Sequence, residues 1–99
     1  MAAELILTPE TEGDLSSAYD WYENCRPGLG EDFLSSVDAA FQVILRQPDS
    51  FAVVKNGFRR YLIRRFPYQI FYESTEDAVT IYGVVHTSRS PRFWKDRLK

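Results

Sequence analysis

Arg26-Pro27-Gly28-Leu29-Gly30 is the stretch that decides the fold. Proline cannot continue a helical ladder and glycine accepts left-handed backbone, so the pentapeptide ends whatever helix precedes it. The residues before it carry a helical pattern. Leu15, Ala18, Tyr19, Tyr22 and Cys25 recur at offsets 0, 3, 4, 7 and 10 and share one face, while Glu12, Asp20 and Glu23 project elsewhere. That helix starts at Thr8-Pro9-Glu10, which combines a hydroxyl N-cap, a proline in the first turn and an acid near the positive end of the dipole. Beyond the break, Phe33, Leu34, Val37, Phe41, Ile44 and Leu45 define a second amphipathic helix, which Gln47-Pro48-Asp49 stops. A break this short between two such helices predicts an antiparallel helical hairpin.

Outward from the hairpin the period changes. Glu4 to Leu7 is a short apolar strand candidate. After Phe51, β-branched and aromatic residues come in short runs separated by turn residues. Asn56-Gly57 joins Phe51–Val54 to Phe58–Arg65 with a pair suited to a type I′ turn, and Pro67 bends the next connection. Gln69–Glu73 and Ala78–His86 follow, joined by the polar Ser74-Thr75-Glu76-Asp77, so consecutive antiparallel strands form a meander. Ser90-Pro91 repeats the helix-start signal ahead of Phe93, Trp94 and Leu98, which predicts a short C-terminal helix or a docked tail. The expected architecture is α+β: an N-terminal strand, a helical hairpin, an antiparallel β-meander and a short C-terminal helix, all in one domain over residues 1–99.

Composition excludes several classes. Ninety-nine residues suffice for one core, and the longest apolar runs are far too short to span a bilayer, so no membrane association is expected and cytoplasmic residence is the default. The single Cys25 makes neither an internal disulfide nor a thiolate metal cluster. Gly28-Leu29-Gly30 follows no strand and lacks a third glycine, and no P-loop, zinc array or serine elbow occurs, so neither cofactor nor metal is implied.

Charge is divided between the halves. Residues 1–50 hold ten acids against two bases, a net −8, whereas residues 51–99 hold ten bases against four acids, a net +6, giving −2 overall. A basic surface on an acidic body suits docking on phosphate or on an acidic partner, and internal pairing of an acidic helical layer with a basic sheet accounts for it equally. Alternation along Phe58–Arg65 sets Arg60, Leu62 and Arg64 on one sheet face and Arg59, Tyr61, Ile63 and Arg65 on the other. Guanidinium groups need an edge, an open face or an acid beside them. His86, the sole histidine, falls in phase with Thr80, Tyr82 and Val84 on a face expected to be open, opposite Val79, Ile81 and Val85. It is a candidate for proton transfer, with a nearby arginine to stabilise charge on a phosphorane, and an ordinary strand-end residue otherwise. Tyr68, Tyr72 and Tyr82 read as core, with base stacking as the other use. A basic second half with exposed aromatics also suits an acidic amphipathic partner, to which Arg92 and Trp94 would contribute.

The order of these elements and a set of local motifs resemble the RelE/ParE superfamily of toxins from type II toxin–antitoxin systems, in its ParE-like or plasmid-stabilisation branch. The matching stretches are Thr8-Pro9-Glu10 with Asp14-Leu15 and Tyr19–Tyr22, Arg26-Pro27-Gly28-Leu29-Gly30 with Asp32-Phe33-Leu34, Arg64-Arg65-Phe66-Pro67-Tyr68 with Tyr72, and Val85-His86 with Arg89, Pro91-Arg92 and Trp94. The resemblance implies a hairpin packed on a small antiparallel sheet, a cognate small acidic antitoxin that wraps the toxin in a hetero-oligomer, and growth arrest when the antitoxin is lost. Within the superfamily, ParE-like members poison DNA gyrase, and the long hairpin, the reduced catalytic set and the isoelectric point near 5.3 make this the leading expectation. RelE-like members instead cut messenger RNA on the ribosome. In that alternative His86 is the general acid or base and Arg65 with Arg89 holds the phosphate. A third reading is an inactive toxin-like interaction module. Arg60, Arg64, Arg89, Arg92 and Trp94 are the expected target-binding residues.

Overall fold

A computed structural model describes residues 3–98. The chain runs β1 (Glu4–Leu7), α1 (Pro9–Cys25), α2 (Leu29–Arg46), β2 (Val53–Lys55), β3 (Phe58–Leu62), β4 (Tyr68–Ser74), β5 (Ala78–His86) and α3 (Pro91–Lys95). The expected α+β order is the observed one. The five strands form one sheet in the order β1-β5-β4-β3-β2. β2 to β5 are the antiparallel meander, and β1 adds to β5 in parallel with Leu7 opposite Ile81, so the hairpin is the crossover of a mixed sheet.

The pentapeptide works as a joint. Arg26 closes α1 in extended backbone, and Gly28, at φ +90°, is the N-cap of α2, so the left-handed glycine opens the second helix rather than closing the first. It has no side chain to cap with. Glu23 of α1 takes over that role, its carboxylate accepting from the Gly28 and Gly30 N–H groups at 3.0 Å each. At Gly30 the backbone passes under Tyr19, where a Cβ would lie 2.8 Å from the ring. The first turn of α1 matches its sequence signal, with the Thr8 hydroxyl accepting from Thr11 N–H at 3.2 Å. The buried stripe of α1 is Thr11, Ala18 and Tyr22, while Cys25, expected on that stripe, is exposed where the helix ends.

The hairpin covers one sheet face. Tyr22, Phe33, Phe66 and Tyr68 interlock with ring centroids 5.0 to 5.4 Å apart in four of their contacts, and Val37, Ile44, Ile70, Tyr72, Val79 and Ile81 continue this core. Tyr72 is fully buried and donates to the Pro48 carbonyl at 2.6 Å. Burial raises its phenol pKa to about 12.

Four local expectations change. β3 ends at Leu62, not Arg65, because Ile63 and Phe66 turn inward to the hairpin core and take the chain out of the ladder. The first meander strand is displaced to Val53–Lys55, where a bulge interrupts its pairing with β3. A second bulge in β5, between the Phe71–Gly83 and Tyr72–Ile81 pairs, reverses the alternation there. Val79, Ile81 and Val84 therefore share the hairpin face, although simple alternation separates Val84 from the other two. The opposite face is not open either. Trp94 of α3 stacks on Phe71 at 4.4 Å, and Leu98, Phe58 and Val85 complete a second, smaller core.

Candidate functional site

β1 stops opposite Ile81, which leaves the next residues of β5 paired with β4 on one side and without a strand on the other. One side of α1 supplies the missing partners. Thr8 N–H and the Thr11 hydroxyl both donate to the Ile81 carbonyl, at 3.2 and 2.8 Å, and one turn later Asp14 Oδ2 accepts from Val84 N–H at 3.0 Å. Asp14 is also held at both oxygens by Arg97, at 2.6 and 3.0 Å. This hydrogen bonding raises the Arg97 pKa, against an opposing effect of burial. Gly83 makes room for the pair, since a Cβ there would lie 3.0 Å from Arg97 Nη1. One carboxylate thus ties α1, the bulged strand and the C-terminal segment together.

Above this tie lies a groove of about 740 Å³ between α1, the ends of β4 and β5, and α3. Tyr22 and Tyr68 are among its apolar lining, and burial raises both phenol pKa values. His86 packs edge-on against Tyr68 at 5.1 Å, and its Nδ1 accepts from Ser88 N–H at 3.0 Å. The proton of the neutral ring therefore sits on Nε2. On the α3 side, Phe93 lies between two guanidinium groups, Arg89 at 4.7 Å and Arg97 at 5.2 Å from its ring centroid. On the α1 side stands Trp21, 62% exposed. A second depression of about 200 Å³ lies between α2 and β3 and is lined by Tyr61, Ile63, Arg64 and Arg65, among others.

Residues 5–91 match the family model described as the ParE toxin of the type II toxin–antitoxin system parDE. The chain belongs to the ParE toxin family. It is 30% identical over 92 residues to Toxin ParE2 of Mycobacterium tuberculosis, in the strains CDC 1551 / Oshkosh and H37Rv, with 92% of this chain and 88% of the relative covered. In structure it is similar to a chain of the chromosomal ParDE toxin–antitoxin system from P. aeruginosa, with a TM-score of 0.76 and 16% identity over 86% of this chain and 96% of that one.

In this ParE-family toxin the residues expected to act together are divided. His86 and Arg89 line the larger groove, and Arg64 and Arg65 line the smaller depression. Arg65 is further engaged by Asp32 of α2 at 3.3 Å, and Arg59 donates to the Phe51 carbonyl at 2.7 Å beside Asp49, so part of the basic cluster pairs with the acidic half. Among the described residues Arg60, Arg64, Arg89 and Arg92 enter no ion pair. Trp94, expected on a contact surface, is 6% exposed and belongs to the second core. Tyr72 is core as well, and Tyr82 packs edge-on against Phe58 at 4.9 Å.

Three residues of the groove escaped sequence reasoning. Trp21 sits just off the apolar stripe of α1, and a large aromatic in that position was its signal. Asp14 falls on the stripe itself, between Thr11 and Ala18, where an acid requires a partner. Arg97 carries no local signal, because its acid lies 83 residues away. Among the described residues no cluster of three His, Cys, Asp or Glu side chains is placed to hold a metal, and no helix is long and apolar enough to cross a membrane.

Proposed function

We propose that this ParE-family toxin arrests growth by binding DNA gyrase in the cytoplasm, and that a cognate small acidic antitoxin neutralises it in a hetero-oligomer. The observation that favours gyrase binding over RNA cleavage is the separation of Arg65 from His86. Cleavage by the ribonucleotide 2′-hydroxyl needs a proton-transfer group and a phosphate-stabilising cation at one phosphate, within hydrogen-bond reach of it. Here Arg89 lines the groove of His86, but Arg65, the other residue that would hold the phosphate, lines a different depression and is held by Asp32, so the set that cleavage requires is divided. Binding of a protein target makes no such demand. It draws on exposed cations, and Arg64 and Arg92, which enter no ion pair among the described residues, supply them, with Arg60 half-buried. The ParDE system similar to this chain in structure supports the antitoxin.

Two assays test the reading. Purified toxin inhibits gyrase supercoiling in vitro, and its induction produces DNA breaks while translated messages stay intact by primer extension. Cut messages that disappear with His86→Ala and Arg65→Ala would replace gyrase by the ribosome-dependent endonuclease. Induction without growth arrest would leave the inactive interaction module.

A further inference from the structure

We propose that the groove between α1 and α3 is where the antitoxin anchors, receiving an apolar side chain between Trp21 and Phe93 and an adjacent carboxylate on Arg89 and His86. The proposal rests on the antitoxin reading above and names the site and the chemistry of the segment that fills it.

Two features of the groove select its occupant. The first is apolar surface. Of the large hydrophobic side chains left exposed, Trp21 at 62% and Phe93 at 38% both line this one groove, with the rings of Tyr22 and Tyr68 also in its lining. The α1 wall is low because Gly13 and Ser17 contribute almost no side chain to it. An inserted aliphatic or aromatic group would gain contacts on several sides, the setting in which a single interface residue carries much of the affinity.

The second feature is the distribution of charge. Asp14 and Arg97 neutralise each other within the groove, and Val84 N–H takes a further acceptor position of the carboxylate. What remains on the α3 side is Arg89, which forms no ion pair among the described residues and is oriented by stacking on Phe93, together with the Nε2 proton of His86. Two donors with no acceptor of their own call for a carboxylate. Glu10, near the start of α1, lines the groove from the other side and sets the polarity of the bound segment, acid toward α3 and base or neutral residue toward Glu10. The occupant is thus a peptide segment of the antitoxin with an apolar residue next to an Asp or Glu.

The test begins with tagged full-length toxin, which captures the antitoxin from the native host for identification by mass spectrometry. The purified antitoxin is then titrated against the parent toxin and its variants. Trp21 is the exposed one of the two tryptophans, so binding shifts the emission to the blue and protects it from acrylamide, and Trp21→Phe removes most of that shift. Trp21→Ala and Arg89→Glu each weaken binding by about tenfold or more, while Arg46→Glu, outside the groove, does not. Circular dichroism on both groove variants separates lost contact from lost fold. Parent-like affinity in both variants, with Trp21 still quenchable in the complex, would overturn the groove assignment and leave the antitoxin reading intact. Capture of no small acidic protein would overturn that reading and this proposal with it.

Discussion

The two faces of the sheet are buried by different means. On one, two helices of 17 and 18 residues lay their buried stripes across four strands. On the other, a helix of five residues holds its place through the Trp94–Phe71 stack, the buried Leu98, the bond from Lys55 Nζ to the Lys95 carbonyl, and the Arg97–Asp14 pair. A five-residue helix has no stability of its own in water, so α3 exists because of what it touches. The hairpin face should therefore govern global stability, and the α3 face should open as a local unit.

The sharpest challenge to this contrast is Phe33→Ala. Phe33 is fully buried among three other aromatic rings, and its loss costs about 3–5 kcal/mol, a large part of the stability of a domain this size. Urea titration should show a much lower midpoint, and an unchanged one would mean that the hairpin face is not the main core. Next comes alkaline pH. Tyr72 on the same face has its phenol pKa raised from the ordinary 10.0 to about 12. Below pH 10 both folded and unfolded chains hold the proton, and above it only the unfolded chain releases it readily. Its share of stability is therefore complete below pH 10 and lost as pH rises to 12, a fall of about 2–3 kcal/mol. Tyr72→Phe should flatten that decline while costing about 1 kcal/mol at neutral pH through the lost bond to Pro48.

Trp94→Ala tests the other face. Its cost should be about 2 kcal/mol, below that of a large residue in a closed core, because α3 can undock without the hairpin unfolding. Hydrogen exchange should show lost protection over residues 91–98 with α1 and α2 still protected. Global loss of protection would abolish the distinction between the faces. The smallest effect belongs to the joint. Gly28→Ala meets no neighbour within 4 Å, so its cost is that of left-handed backbone alone, about 1 kcal/mol in chemical denaturation.

The groove belongs to both regions, with α1 as one wall and α3 as the other, and this is why it was only half legible beforehand. His86 and Arg89 were marked by residue type, and Tyr68 by its place in the meander. Their meeting with Trp21, Asp14 and Arg97 was not, because a β-bulge carries Val84 onto the hairpin face and presents its N–H to Asp14. A bulge adds one residue to one strand and leaves composition and periodicity almost untouched. The resemblance sets Arg65 with His86 but carries no distances, and residue type alone puts Trp94 on a contact surface, whereas its stack on Phe71 is a tertiary contact. Alternation describes a strand only while the strand lasts, and β3 stops at Leu62.

Residues alone determined the elements and their order. The caps, the Arg26–Gly30 joint, the two helical stripes, the Asn56-Gly57 turn and the strand-forming runs act through interactions a few residues long, and each leaves its mark in the local sequence. Asn56 and Gly57, at φ +48° and +85°, adopt the left-handed backbone their types allow. Only the tertiary structure decided that β1 pairs with β5, that α3 closes the second face, which guanidinium groups find acids, and which side chains share a groove. Those outcomes depend on contacts between residues as far apart as Asp14 and Arg97, and chain closure over such a distance is set by the packing of the whole rather than by any local preference.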